Sequence, residues 1–352
     1  MKMKLSDFDY NLPKELIASE PMKKRDNSRL LVLDKKTGMM SHHTFYEILS
    51  FLNSNDLIIM NNTKVIPARL IGKKELTHGK VEILLHRKIE DNVWEALGRN
   101  LKTGGRIIFD GSSLEALPIS KDEDIYKVRF NLTGKDLVSA IEEIGLMPIP
   151  PYIRHGRSNK SDIQNYQTVY ALNKGSVAAP TAGFHFTNDL IRAIEDKGVK
   201  TDFVTLHVGL GTFAPIKADD ITSHKMHSEY FEINKDLIKK IRATREKGGK
   251  IIAVGTTTAR VLETVFGENE ENKDLKITEN DKTITGWTKI FIYPGYEFKC
   301  VDSLITNFHL PKSTLLLLVS ALAGEKNIKE SYKEAIENNY RFYSYGDAML
   351  IQ

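Results

Sequence analysis

The segment Met147-Pro-Ile-Pro-Pro-Tyr152 divides two textures of sequence. Its three prolines remove amide donors and stop any helix from running through, so it reads as a linker. On its N-terminal side, residues 81–86, 93–98, 106–109 and 126–131 are short strand-like runs separated by Gly, Asp, Asn or Ser turns. Regular short strands of this kind point to a small barrel or sandwich, followed by a helix over 134–145. On the C-terminal side helix and strand alternate. Thr187 caps a helix that carries Leu190, Ile191 and Ile194 on one face and ends at Gly198. Residues 202–207 form a strand. Asn234 caps a helix with Leu237, Ile238 and Ile241 that stops at Gly248-Gly249. Residues 250–255 are a buried strand, 256–266 a helix, and 313–322 and 328–338 are helical. Such alternation marks an α/β domain. Before the β-rich stretch, residues 29–34 and 57–60 are again apolar runs of the buried-strand type. The expected fold is therefore a discontinuous, barrel-like α/β domain, built from 1–66 and 153–352, with a small β-barrel domain, 67–152, inserted in it.

Composition narrows the function. The chain has 352 residues, 50 Lys+Arg against 46 Asp+Glu, and one cysteine. A net charge of +4 is far from that of a polybasic binder. The excess lies in the two flanking parts, and residues 67–152 are neutral. A single cysteine makes no internal disulfide, no thiolate zinc site and no iron–sulfur cluster. The first residues are basic but lead into Ser6-Asp-Phe-Asp-Tyr10, so no signal peptide is expected. The longest apolar stretch, near 315–322, falls far short of the ~20 residues that span a bilayer. A reducing compartment and no membrane are expected.

Polar clusters sit where strands should end. Ala178-Ala-Pro-Thr-Ala-Gly-Phe-His-Phe-Thr187 precedes a helix, with Thr181 and His185 in the loop and Gly183 permitting close backbone approach. It is either an anion-friendly helix start or a cap with one buried histidine. Thr205-Leu-His-Val-Gly-Leu-Gly-Thr-Phe213 runs a strand into a turn at Gly209 and Gly211. That is a ligand-approaching turn or an ordinary strand terminus, and it lacks the third glycine of a dinucleotide fingerprint. In His224-Lys-Met-His-Ser-Glu-Tyr230, an extended backbone would put His227 and Glu229 on one face: a base with its orienter, or a structural pair. The spacing is not the helical zinc pattern, so no metal is expected.

Ala253-Val-Gly-Thr-Thr-Thr-Ala-Arg260 gathers hydroxyls at a helix start, which suits an anion or a sugar; one Thr should be the cap. No P-loop lysine accompanies it. Thr306, Asn307 and His309 end a strand before Pro311, and Ser313 or Thr314 caps the next helix. Tyr340-Arg-Phe-Tyr-Ser-Tyr-Gly-Asp347 either stacks bases or packs the C-terminal segment on the core. Arg154, Arg157 and Lys160 form a basic loop that contacts phosphates or is merely solvated.

These segments, with Phe8-Asp-Tyr-Asn-Leu-Pro13, Asn61-Asn-Thr-Lys-Val-Ile-Pro-Ala-Arg69, Pro150-Pro-Tyr-Ile153 and Tyr166-Gln-Thr-Val-Tyr170, run in order along the chain. Together they resemble the S-adenosylmethionine:tRNA ribosyltransferase-isomerase family of queuosine biosynthesis. Phe184 stands where the family pattern usually has Leu, an apolar exchange.

The resemblance implies an enzyme that moves and isomerises the ribosyl unit of S-adenosylmethionine onto 7-aminomethyl-7-deazaguanine in tRNA, giving epoxyqueuosine-tRNA, adenine and methionine. It implies S-adenosylmethionine as co-substrate, no permanently bound cofactor, tRNA as partner, and a monomer in the cytoplasm. On this reading His185, His207, His227 and His309 gather around the ribose, and Glu229 orients or acts as base. Thr181, Gly183, Gly209, Gly211, Thr256, Thr257 and Arg260 hold the donor, and Arg154, Arg157 and Lys160 meet tRNA phosphate. Two rivals are a non-catalytic RNA-binding protein and a conventional methyltransferase.

Overall fold

The structure, a computed structural model, describes residues 3–209, 216, 220–224, 226–267, 278–280 and 282–352. In chain order its strands are β1 (Arg29–Leu33), β2 (Met40–Thr44), β3 (Leu57–Asn61), β4 (Thr63–Val65), β5 (Arg69–Lys74), β6 (Lys80–Lys88), β7 (Val93–Arg99), β8 (Ile107–Ile108), β9 (Glu115–Asp122), β10 (Ile125–Phe130), β11 (Asn173–Ser176), β12 (Lys200–Leu206), β13 (Glu229–Asn234), β14 (Ile251–Val254), β15 (Thr278–Glu279), β16 (Thr283–Thr288), β17 (Ser303–Asn307) and β18 (Ala348–Ile351). The helices are α1 (Gly134–Ile144), α2 (Asp162–Asn165), α3 (Asn188–Asp196), α4 (Lys235–Glu246), α5 (Thr256–Phe266), α6 (Thr314–Ala323) and α7 (Glu325–Glu337).

The chain divides into two units. One holds Met1–Thr63, Gln167–Asn173 and Pro180–Gln352; the other holds Lys64–Tyr166 and Lys174–Ala179. The first is a mixed α/β unit around a ten-stranded sheet ordered β15-β16-β13-β12-β3-β14-β17-β18-β1-β2. Among the described residues this sheet has two ends, β15 and β2, so the barrel-like α/β closure expected from the alternation is not what forms. The pairs β12–β13, β13–β16, β17–β18 and β1–β2 are antiparallel and continue the sheet outward. β12, β3, β14 and β17 run parallel side by side, and β1 is also parallel to β18.

That parallel centre explains the apolar runs. Every residue of β3, β14 and β17 is buried, as in strands covered on both faces. On one face Ile58, Met60, Ile252, Val254 and Ile305 form a core with Leu190 and Ile194 of α3. α3 starts where expected: the Thr187 hydroxyl accepts from the Leu190 amide at 3.1 Å. Asn234 likewise caps α4, and Ser313 caps α6. α5 departs from expectation. Its cap position is Gly255 at φ +85°, and no threonine caps it; Thr256, Thr257 and Thr258 occupy the first turn, all buried.

The second unit is a closed six-stranded barrel ordered β10-β7-β6-β5-β8-β9. Alternation fixes its inside: in β10, Tyr126, Val128 and Phe130 are buried while Lys127 and Arg129 are exposed. The proline segment is not a loose linker. Met147, Pro148, Ile149 and Pro150 are buried within this unit, and Arg69 and Leu146 exchange backbone hydrogen bonds. Apolar residues between the prolines let the segment pack although it donates few hydrogen bonds.

Candidate active site

Four parallel strands deliver their C-terminal ends to one edge of the sheet, the place where open α/β sheets bind ligands. β3 ends at Asn61, β12 leads into His207, β14 into Gly255-Thr256-Thr257, and β17 ends at Asn307.

Asn61 ties these ends together. Its amide donates to the Leu206 carbonyl at 3.0 Å and the Thr257 hydroxyl at 3.3 Å, and its oxygen accepts from the amides of Leu206 and Thr63, both at 3.1 Å. The Thr63 hydroxyl lies 2.8 Å from His207 Nδ1, and the His207 ring stacks on Tyr230. Half-burial lowers the His207 pKa to about 4, so the imidazole is neutral at neutral pH. Among the described residues, Nε2 of His207 has no hydrogen-bond partner.

Beside it lies a buried ion pair. Glu229 accepts from Arg260 Nη1 at one oxygen and from the Gly209 amide at the other, the latter at 2.9 Å. Both side chains are nearly sealed from solvent, at 4% and 3% exposure. Arg260 Nε reaches the Ile290 carbonyl at 3.3 Å. Its Nη2 is buried with no partner among the described residues. Thr256 and Thr257 lie one turn before Arg260 on α5 and share its face.

His185 is built differently. Its Nδ1 lies 2.7 Å from Ser28 Oγ, and its Nε2 lies 3.0 Å from the Asn307 amide nitrogen, whose oxygen accepts from Thr181. An amide nitrogen only donates, so Nε2 is the acceptor and Nδ1 carries the proton. Burial, then Arg25 and Arg341, lowers its pKa to about 3. His309 Nε2 meets Thr306 Oγ1 at 2.8 Å, and its backbone is held at both ends by Tyr10 and Tyr332; burial lowers its pKa to about 3. Asn307 and Thr306 are successive residues of β17, so they hold their histidines on opposite faces of the sheet.

His185 and His309 are therefore held apart rather than gathered at one point. His227 is exposed and precedes β13, while Glu229 is buried inside it; the expected His227–Glu229 pair is replaced by Arg260–Glu229. Gly183 admits a tyrosine rather than a ligand, since a Cβ there would lie 2.0 Å from Tyr170 Oη. Gly211 lies outside the described residues. A cavity of about 320 Å³ between residues 7–11 and helices α6 and α7 has Tyr10 and Tyr332 in its wall and is lined by none of the site residues expected from the sequence.

The family model for the queuosine biosynthesis protein matches residues 5–351. The chain belongs to that family. Two curated relatives named S-adenosylmethionine:tRNA ribosyltransferase-isomerase are similar over their whole length. That of Acetivibrio thermocellus is 51% identical and that of Halothermothrix orenii 50%, each over 99% of this chain and 100% of the relative. A crystal structure of S-adenosylmethionine tRNA ribosyltransferase from Thermotoga maritima is 37% identical. It covers 98% of this chain and 100% of that one, with a TM-score of 0.56. Membership makes the chain an enzyme of the transferase–isomerase kind.

Within this family chain, the tying residues Asn61 and Thr63, with Ser28, were not singled out from the sequence, and Asn307 was named as a strand end without a role. The signal for the first two was present: a polar run follows directly on the buried residues 57–60. In the barrel unit the basic loop is ordered. Arg154 holds both oxygens of the buried Asp162 at 2.5 and 2.6 Å, while Arg157 and Lys160 are exposed. The C-terminal aromatics Tyr340, Phe342, Tyr343 and Tyr345 are buried and pack the terminal segment. Phe184, the apolar departure, stacks on Tyr345. Among the described residues no helix is long and apolar enough to cross a membrane, and no cluster of metal-ligating side chains occurs.

Proposed function

We propose that the chain transfers and isomerises the ribosyl unit of S-adenosylmethionine onto the aminomethyl group of 7-aminomethyl-7-deazaguanine in tRNA, giving epoxyqueuosine-tRNA, adenine and methionine. The observation that carries this reading is full-length similarity, at about 50% identity, to relatives bearing that activity in their name. The polar edge of the sheet supplies groups for it.

The sulfonium acidifies the neighbouring ribose carbon, so a base must remove a proton there. Adenine leaves with the help of a proton donor, and the aminomethyl nitrogen must be neutral to attack. His207 fits the base: neutral, half-buried, held at Nδ1 by Thr63, with Nε2 open. His185 and His309 hold the end of β17 in place, and His227 has no assigned step. Thr181 and Gly183 support this framework, and Thr256, Thr257, Arg260 and Gly209 face the donor. The scheme needs no metal and no permanent cofactor. Arg157 and Lys160 would meet tRNA phosphates. We take the enzyme to act as a monomer in the cytoplasm, with 67–152 inserted between 1–66 and 153–352; the closed barrel of β5–β10 is the support for an insertion, and the compact unit around it also takes in 153–166 and 174–179.

The test is incubation with S-adenosylmethionine and tRNA carrying the precursor base, followed by mass spectrometry. Free adenine, methionine and an epoxide-bearing nucleoside are expected. S-adenosylhomocysteine with a methylated nucleoside, or tight tRNA binding without turnover, would overturn the proposal in favour of a rival.

A further inference from the structure

The Glu229–Arg260 pair has a property that a general base does not need. Its arginine is sealed in the protein, yet Nη2 has no partner among the described residues. A buried N–H donor without an acceptor is costly, and a charged one more so. Guanidinium donors match carboxylates in geometry as well as charge. Arg260 also lies three and four residues beyond Thr257 and Thr256, so it shares a face with the first turn of α5. That turn opens at Gly255 with backbone amides that no threonine side chain caps, and its dipole favours negative charge.

We propose that Arg260 Nη2, with the first turn of α5, binds the carboxylate of the α-amino acid end of S-adenosylmethionine. This rests on the reading of that molecule as co-substrate. Charge separates a carboxylate from the other anion at hand, a tRNA phosphate. Glu229 neutralises Arg260, so the buried pair has no net charge to offset a phosphodiester. The amino acid end is itself neutral overall, with carboxylate and ammonium side by side. Its carboxylate meets the guanidinium and its ammonium meets a site whose charge partner is Glu229. Glu229 is then a positioning residue. It fixes the guanidinium from Nη1 and the turn at Gly209 from the other oxygen, and no proton transfer at the ribose passes through it.

The test is calorimetric titration of the wild type, Arg260→Ala and Arg260→Lys with S-adenosylmethionine and with its decarboxylated analogue, which lacks only the carboxylate. The wild type should prefer S-adenosylmethionine by about 10- to 100-fold, the range of a charged hydrogen bond. Arg260→Ala should bring the ratio to about one, and Arg260→Lys to an intermediate value. If the alanine variant does not fold, the lysine variant decides, because it keeps the charge and loses the fork. Glu229→Gln should lower affinity for both ligands and leave the pH dependence of turnover unchanged. A ratio unaltered in Arg260→Lys, with S-adenosylmethionine still bound, overturns the proposal. A wild type that does not bind S-adenosylmethionine overturns the co-substrate reading, and this inference with it.

Discussion

His185 and His207 both stand near the C-terminal ends of the central strands, and both are pushed to low pKa by burial. They differ in valence. Both ring nitrogens of His185 are engaged, by Ser28 and by Asn307, whereas His207 is engaged at Nδ1 and Nε2 meets no described acceptor or donor. A saturated buried histidine is a cross-link: it joins the N-terminal segment to β17. One with an open nitrogen can exchange a proton with a substrate. What distinguishes structure from chemistry here is the number of partners, not the residue type or its burial.

The sharpest way to break this contrast is to exchange each histidine. His207→Gln should lower turnover by about 10²- to 10⁴-fold, the usual loss with a general base, while the protein keeps its unfolding midpoint. His185→Gln should do the opposite. It should lower stability by about 1–3 kcal/mol, the cost of disturbing buried hydrogen bonds, with turnover per folded molecule nearly preserved. Urea unfolding and single-turnover adenine release measure the two. If His185→Gln loses turnover as heavily as His207→Gln while remaining folded, valence is not the distinguishing property.

Acid titration sharpens the same contrast at a smaller scale. The pKa of His185 and His309 is lowered to about 3 and that of His207 to about 4, from 6.5. The unfolded chain therefore binds protons that the folded chain refuses. Stability from this source is full above about pH 6.5 and falls as pH drops toward the folded values. One such histidine removes about 2 kcal/mol at pH 5. The difference in unfolding free energy between pH 7.5 and pH 5 should shrink by about that amount in His185→Gln. An unchanged pH dependence in that variant would contradict the burial assigned to His185.

The elements were legible where local rules decide. The alternation from Thr187 to Phe266 predicted α3, α4 and α5, because caps and apolar periodicity are local. The barrel was legible from its short, turn-bounded apolar runs, though two of its strands, β5 and β9, the latter with Pro118 inside it, were not. The openness of the large sheet was not legible, since closure depends on which strands pair at the ends, and β1 pairs with β18 from the far terminus of the chain. The site was legible as a set of segments but not as a set of partners. Glu229 faced a choice between His227, two residues away, and Arg260 on another element. A strand that starts only at Glu229 leaves His227 in solvent, and the pairing went to Arg260. Nothing in the spacing encodes that choice.

The barrel unit repeats the contrast between closed and open valence at its surface, and there the expected effect is smallest. Arg154 and Arg157 are three residues apart in a loop read from sequence as uniformly basic. Arg154 is tied to Asp162, which is 1% exposed, so removing it strands a buried carboxylate and should act on stability. Arg157 and Lys160 are exposed, and each phosphate they neutralise releases counterions. Removing both as Arg157→Ala and Lys160→Ala should reduce the slope of log affinity for tRNA against log salt by about 1.5, with S-adenosylmethionine affinity unchanged. Filter binding over a salt series measures this. A slope equal to the wild type's would place the tRNA contacts elsewhere. A slope that also falls in Arg154→Ala, with the protein folded, would show that the Asp162 pair opens to let Arg154 reach phosphate.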